Sequence, residues 1–112
     1  MFKLITEVKR ATAPRITIRS TGFISFNKSA LDLLAGELVE IYYDEETKRL
    51  GFKTVDKATA YSRKVAKNGM SAKPMLQGKV DLDTTRRYLA EKEKEFVVID
   101  LNKGEPVKRR MI

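Results

Sequence analysis

Residues 15–53, RITIRSTGFISFNKSALDLLAGELVEIYYDEETKRLGFK, constrain the fold more than any other part of this chain. Arg15-Ile16-Thr17-Ile18-Arg19 alternates polar and apolar residues, which is the period of a half-buried strand and turns Ile16 and Ile18 inward. Ser20-Thr21-Gly22 supplies turn chemistry, and Phe23-Ile24-Ser25-Phe26 resumes β-propensity. Asn27 is a favourable helix N-cap, while Ser29 followed by Asp32 offers a competing start. The helix is expected to run to Ala35, with Ala30, Leu31 and Leu34 inward and Gly36 as its C-cap. Leu38-Val39-Glu40-Ile41-Tyr42-Tyr43 reads as a strand, Asp44-Glu45-Glu46-Thr47-Lys48 as a solvated turn, and Arg49-Leu50-Gly51-Phe52-Lys53 as the returning strand.

Elsewhere the local signal is weaker. Residues 3–9 fit a short strand or a helical turn, and Pro14 ends whatever precedes it. Periodicity degrades from Val55 to Lys79, where Asn68-Gly69 marks a turn and Pro74 a break. This segment reads as a mobile basic loop, with a packed strand around Tyr61 as the alternative. Lys79-Val80-Asp81-Leu82-Asp83 alternates like a strand. Arg86-Arg87-Tyr88-Leu89-Ala90 and Phe96-Val97-Val98-Ile99-Asp100-Leu101 bracket the charged run Glu91-Lys92-Glu93-Lys94-Glu95. A helix over residues 84–95 competes, but the strand-then-charged-turn pattern of residues 42–48 favours a second hairpin within 80–101. The tail, residues 103–112, is expected to fray. The expected fold is α+β and β-dominated, with two hairpin-centred sheets and one short helix in a single domain spanning residues 1–112. A dimer is expected.

Composition narrows the chemistry. The chain has 112 residues, no cysteine and no histidine. Disulfides, zinc fingers, cysteine nucleophiles and Ser/His/Asp triads are thereby excluded, as is the side chain most used for proton transfer near neutral pH. No apolar run reaches the length of a membrane span, and the first residues lack a signal-peptide core, so a cytoplasmic protein without membrane contact is expected. No phosphate-binding loop or GxGxxG is present. Asp81 and Asp83 form an Asp-x-Asp pair of the kind that holds divalent cations, but alternation with Val80 and Leu82 makes them a solvent face. Neither a metal, a cofactor nor catalysis is expected. The acidic turns at 44–46 and 91–95 read as solubility and edge protection.

The formal charge is +8, and it comes in blocks. Residues 1–28 carry +5, residues 29–56 carry −4, residues 57–79 carry +6 with no acid at all, and residues 80–112 carry +1. A local cationic excess attracts polyanions, of which nucleic acid is the commonest. The candidate contacts are Arg10, Arg15 and Arg19 in the first block, and Lys57, Arg63, Lys64, Lys67 and Lys73 in the third. Arg15 and Arg19 share the strand face opposite Ile16 and Ile18, and such a face can lie along a phosphate backbone. Tyr61 could stack on an unpaired base, although core burial is its default. Core is also the default for Phe23, Phe26, Tyr42, Phe52, Tyr88 and Phe96.

Gly22-Phe23-Ile24-Ser25-Phe26, Ala30 to Leu34, Val39-Glu40-Ile41 and Leu50-Gly51-Phe52-Lys53 together resemble the swapped-hairpin (AbrB-like) regulators. That resemblance covers residues 22–53. It implies a DNA-binding homodimer with interleaved strands, in which Arg15, Arg19 and Arg10 face DNA. Asn27 stands where that family usually has proline, and the linker after the helix is shortened to Ala35-Gly36-Glu37. The whole chain also resembles small uncharacterised proteins of bacteria and their phages. The expected function is non-catalytic nucleic-acid binding, DNA before RNA. Two alternatives stand beside it: a single-strand-binding protein similar to the coactivator type, and a phage or mobile-element protein that binds another protein.

Overall fold

The computed structural model describes residues 13–107. Nine strands alternate with two short helices: β1 (Arg15–Ile18), β2 (Phe23–Phe26), α1 (Lys28–Leu34), β3 (Leu38–Asp44), β4 (Arg49–Thr54), β5 (Arg63–Lys64), β6 (Gly69–Ser71), α2 (Lys73–Leu76), β7 (Arg86–Glu93), β8 (Phe96–Asp100) and β9 (Glu105–Pro106). A single 3-10 turn, Leu101–Lys103, precedes β9.

All strand pairings are antiparallel, and the strands form one sheet in the order β5-β3-β4-β8-β7-β1-β2-β6, with β9 alongside β7. This corrects the expectation of two separate sheets. The physical reason is the eight-residue length of β7. Its first half pairs with β1 and its second half with β8, so one strand joins both hairpin systems. The two ends of the sheet, β5 and β6, are consecutive in the chain and meet through an Ala66–Gly69 bridge, which brings the sheet close to a closed barrel.

The alternation at β1 is as expected: Ile16 and Ile18 are buried, and their neighbours face out. Ile24, Phe26, Val39, Leu50, Phe52, Met70, Tyr88, Ala90, Val97 and Ile99 complete the strand contribution to one core. Ala30 and Leu34 of α1 and Leu76 of α2 join the same core. Phe26 and Phe52 meet edge to face, with ring centroids 5.6 Å apart. Three aromatics depart from the core default: Tyr42 is exposed on the outside of the sheet, and Phe23 and Phe96 are only partly buried.

Asn27 begins α1, as its side-chain chemistry dictates. Its Oδ1 accepts from the N–H groups of Ala30 (2.9 Å) and Arg15 (3.0 Å), and its Nδ2 donates to the Ala13 carbonyl (2.9 Å). One side chain therefore caps the helix and pins the start of β1. Asn27→Ala is expected to cost about 1–2 kcal/mol, the upper part of the range for loss of an N-cap, because the β1 contacts go with it. Urea denaturation checks this. The helix ends one residue before the expected cap: Ala35, not Gly36, takes the left-handed conformation (φ 54°). Gly36 is needed instead for closeness, since a Cβ there would overlap Thr54 Cγ2.

Four further expectations are corrected. Residues 57–79 are not an open loop: they supply β5, β6 and α2, and bury Val65, Met70, Ala72 and Leu76. Residues 79–83 form no strand, because the turn after α2 carries on through them. The N–H groups of Lys79 and Val80 both donate to the Leu76 carbonyl, and Asp81 Oδ1 accepts from the Asp83 N–H (2.9 Å). The second hairpin starts only at Arg86, and its turn is confined to Lys94-Glu95. In the tail, residues 105–106 pair with Arg86 and Arg87 rather than fraying, while residues 108–112 lie outside the described residues.

Candidate nucleic-acid interface

Burial of Ile16 and Ile18 leaves Arg15, Thr17 and Arg19 on the outer side of the sheet. Directly opposed residues of antiparallel strands share a face. The register sets Thr17 between Ser25 of β2 and Arg87 of β7, and sets Arg15 opposite Leu89. Arg15, Arg19 and Arg87 therefore stand on one surface, around an open groove of about 460 Å³ that Thr17, Ser25, Asn27 and Val107 also line. Asn27 holds the Arg15 end of this surface, through the bond from the Arg15 N–H and through its own N–H, which donates to the Arg15 carbonyl (3.1 Å).

Sequence reasoning misses Arg87. The signal for it is Tyr88: once Tyr88 is buried, alternation turns Arg87 outward. Only the pairing with β1, however, places it beside Arg15 and Arg19. Two cations of the basic segment lie close to the strands that carry this surface. Lys67 lies in the β5–β6 turn, where the Asn68 carbonyl accepts from the Phe26 N–H (2.7 Å). Lys73 begins α2 directly against Gly22, next to Arg19. Arg63 and Lys64 form β5 and pair with β3, and Lys57 lies in the loop after β4, so these three belong to the other half of the sheet. Arg10 lies outside the described residues.

The ion pairs leave the cations of this surface out. Arg49–Glu93 (2.9 Å), Lys53–Glu95 (3.8 Å) and Arg86–Asp81 (3.5 Å) are the ion pairs among the described residues. None of them engages Arg15, Arg19, Arg87, Lys67 or Lys73. Two carboxylates border the surface: Glu105, opposite Arg87 in the β9 register, and Asp83, in a neighbouring depression lined also by Arg19 and Thr85. The field over the groove is thus cationic, with acids at its margin. Tyr61 is 74% exposed, which corrects its expected burial; the Thr59–Ser62 turn carries it outward.

Tyr88 of β7 faces the core, and burial pushes its phenol above the ordinary value of 10.0, an effect that Arg86 opposes. No group of three or more metal-ligating side chains occurs among the described residues, and no helix among them is long and apolar enough to cross a membrane. Comparison of the chain with protein-family models, with curated proteins and with solved structures finds no match.

Proposed function

We propose that this protein binds nucleic acid without catalysis, as a DNA-binding regulator that contacts phosphates through the outer face of β1, β2 and β7. The observation that carries this reading is the convergence of Arg15, Arg19 and Arg87 on one strand surface, with no ion pair to any of them among the described residues. Arginine suits the task because its planar, permanently charged fork matches phosphate oxygens. Lys67 and Lys73 lie close to the same strands. In this reading the working form is a homodimer in the cytoplasm, in keeping with the swapped-hairpin resemblance of residues 22–53.

Fluorescence anisotropy with labelled duplex and single-stranded DNA at about 50 and 200 mM salt tests the proposal, since binding through several phosphates weakens steeply over that range. Replacing Arg15 and Arg87 with alanine is expected to weaken binding about tenfold or more for all sequences alike, and to lower the salt slope by about 2. Replacing Arg63, Lys64 and Lys67 together is expected to matter less, because only Lys67 lies close to the strands that carry this surface. No binding at the lower salt concentration would reject the proposal. The exposed ring of Tyr61, close in sequence to Arg63 and Lys64, supports a second reading in which unpaired bases stack on it. A preference for single strands that Tyr61→Ala removes would select that reading.

A further inference from the structure

The edge of β3 carries main-chain groups that no strand satisfies. The Leu38 carbonyl accepts from Val55 N–H on the β4 side, whereas the Glu37 carbonyl accepts from Val65 N–H on the β5 side. The odd-numbered residues of β3 therefore direct their N–H and C=O groups away from β4. β5 is only two residues long and ends with Arg63 opposite Val39. Beyond it the chain turns off at Thr59–Ser62, whose Thr59 hydroxyl donates to Glu40 Oε2 (2.8 Å). The N–H and C=O groups of Ile41 and Tyr43 have no strand partner among the described residues. Natural sheets cover, charge or use such an edge.

Along β3 and its turn the charge is one-sided, while Arg63 and Lys64 of β5 lie at the start of the edge, opposite Val39 and Leu38. Residues 37–47 hold five acids, Glu37, Glu40, Asp44, Glu45 and Glu46, and no lysine or arginine. None of the five is in an ion pair among the described residues. The cross-strand cations that face Glu40 and Asp44, Lys53 and Arg49, are engaged by Glu95 and Glu93. A hydrogen bond from the Thr47 side chain holds the Asp44 carboxyl below its ordinary value. On a chain of net charge +8, this is a local reversal of sign.

We infer that the open edge of β3 at residues 41–44 accepts an extended basic segment of a partner protein as an added antiparallel strand. The side-chain order of that segment follows from the edge. Residues opposite Glu40, Tyr42 and Asp44 share their outward face and are cationic there, two against carboxylates and the middle one over the Tyr42 ring, which is 44% exposed. Residues opposite Ile41 and Tyr43 face inward and are apolar. A second copy of this strand is disfavoured as occupant, because antiparallel pairing centred on Tyr42 sets Glu40 against Asp44.

The test uses the whole chain and a labelled probe peptide, Lys-Val-Arg-Val-Lys. The peptide is expected to bind, and to bind less well at about 200 mM salt than at about 50 mM. Methylating the two valine nitrogens, which point at β3 in this register, is expected to weaken binding about tenfold or more; Glu40→Lys with Asp44→Lys is expected to abolish it. Failure of the parent peptide to bind overturns the inference. So does equal binding of the methylated peptide, which needs no folded variant and would reduce the edge to a charged surface. Sedimentation showing a dimer that the peptide dissociates would give the edge to a second copy and also overturn the inference.

Discussion

Phe52→Ala is expected to lower the unfolding free energy by about 3–5 kcal/mol, a large share of the roughly 5–15 kcal/mol that holds an ordinary domain folded. Phe52 is fully buried on β4, flanked in register by Ile41 and Val97. Its ring meets Phe26 edge to face across the interior, so it joins the β3–β4–β8 half of the sheet to the β1–β2 half. Truncation removes that contact and leaves a cavity that paired strands on both sides prevent from collapsing. Phe52→Leu keeps most of the volume and is expected to cost under about 1.5 kcal/mol. Urea denaturation separates the two. A loss of less than about 1 kcal/mol for the alanine variant would place Phe52 outside the core.

Gly22→Ala is expected to cost about 2–4 kcal/mol, from two sources. Gly22 sits at φ +85°, where a side chain adds about 1–2 kcal/mol of strain. A Cβ there would also overlap Lys73 Cβ and lie 2.6 Å from Lys73 Cα, so α2 must move off the β1–β2 turn. That movement threatens the bond from the Ala72 N–H to the Gly22 carbonyl (3.0 Å), and overpacking of this kind adds about 1–3 kcal/mol. Gly78 supplies the control. It has φ +80°, but a Cβ added there would meet nothing within 4 Å, so Gly78→Ala is expected to show the backbone strain alone. Equal melting shifts for the two variants would mean that α2 does not pack against this turn.

The parts of the fold that depend on neighbouring residues were legible in the sequence. Ile16 and Ile18 alternate with Arg15, Thr17 and Arg19 over a single strand, and Asn27 announces a helix start by its own chemistry. β3 and β4 show the same local clarity. The parts that depend on distant pairing were not legible. β5 and β6 have two and three residues, too few for any period, and exist because β3 and β2 offer them partners. Val80 and Leu82 alternate with Asp81 and Asp83 as a strand would, yet the turn after α2 claims the Val80 N–H. The candidate site divides in the same way. Arg15 and Arg19 follow from one strand, whereas Arg87 joins them only through the β1–β7 register. The block of charge over residues 57–79 suggested one contact surface, but the fold places Lys67 next to β2, Lys73 against the β1–β2 turn, and Arg63 and Lys64 along β3.

Chemical-shift mapping of backbone amides during titration with a short DNA duplex tests the central claim most directly. The account predicts that the largest shifts fall on Arg15, Thr17, Arg19, Ser25 and Arg87, fade along β6 toward Lys67, and spare β4 and β8. Shifts confined to β3, β4 and β8, or none at low salt, would contradict it.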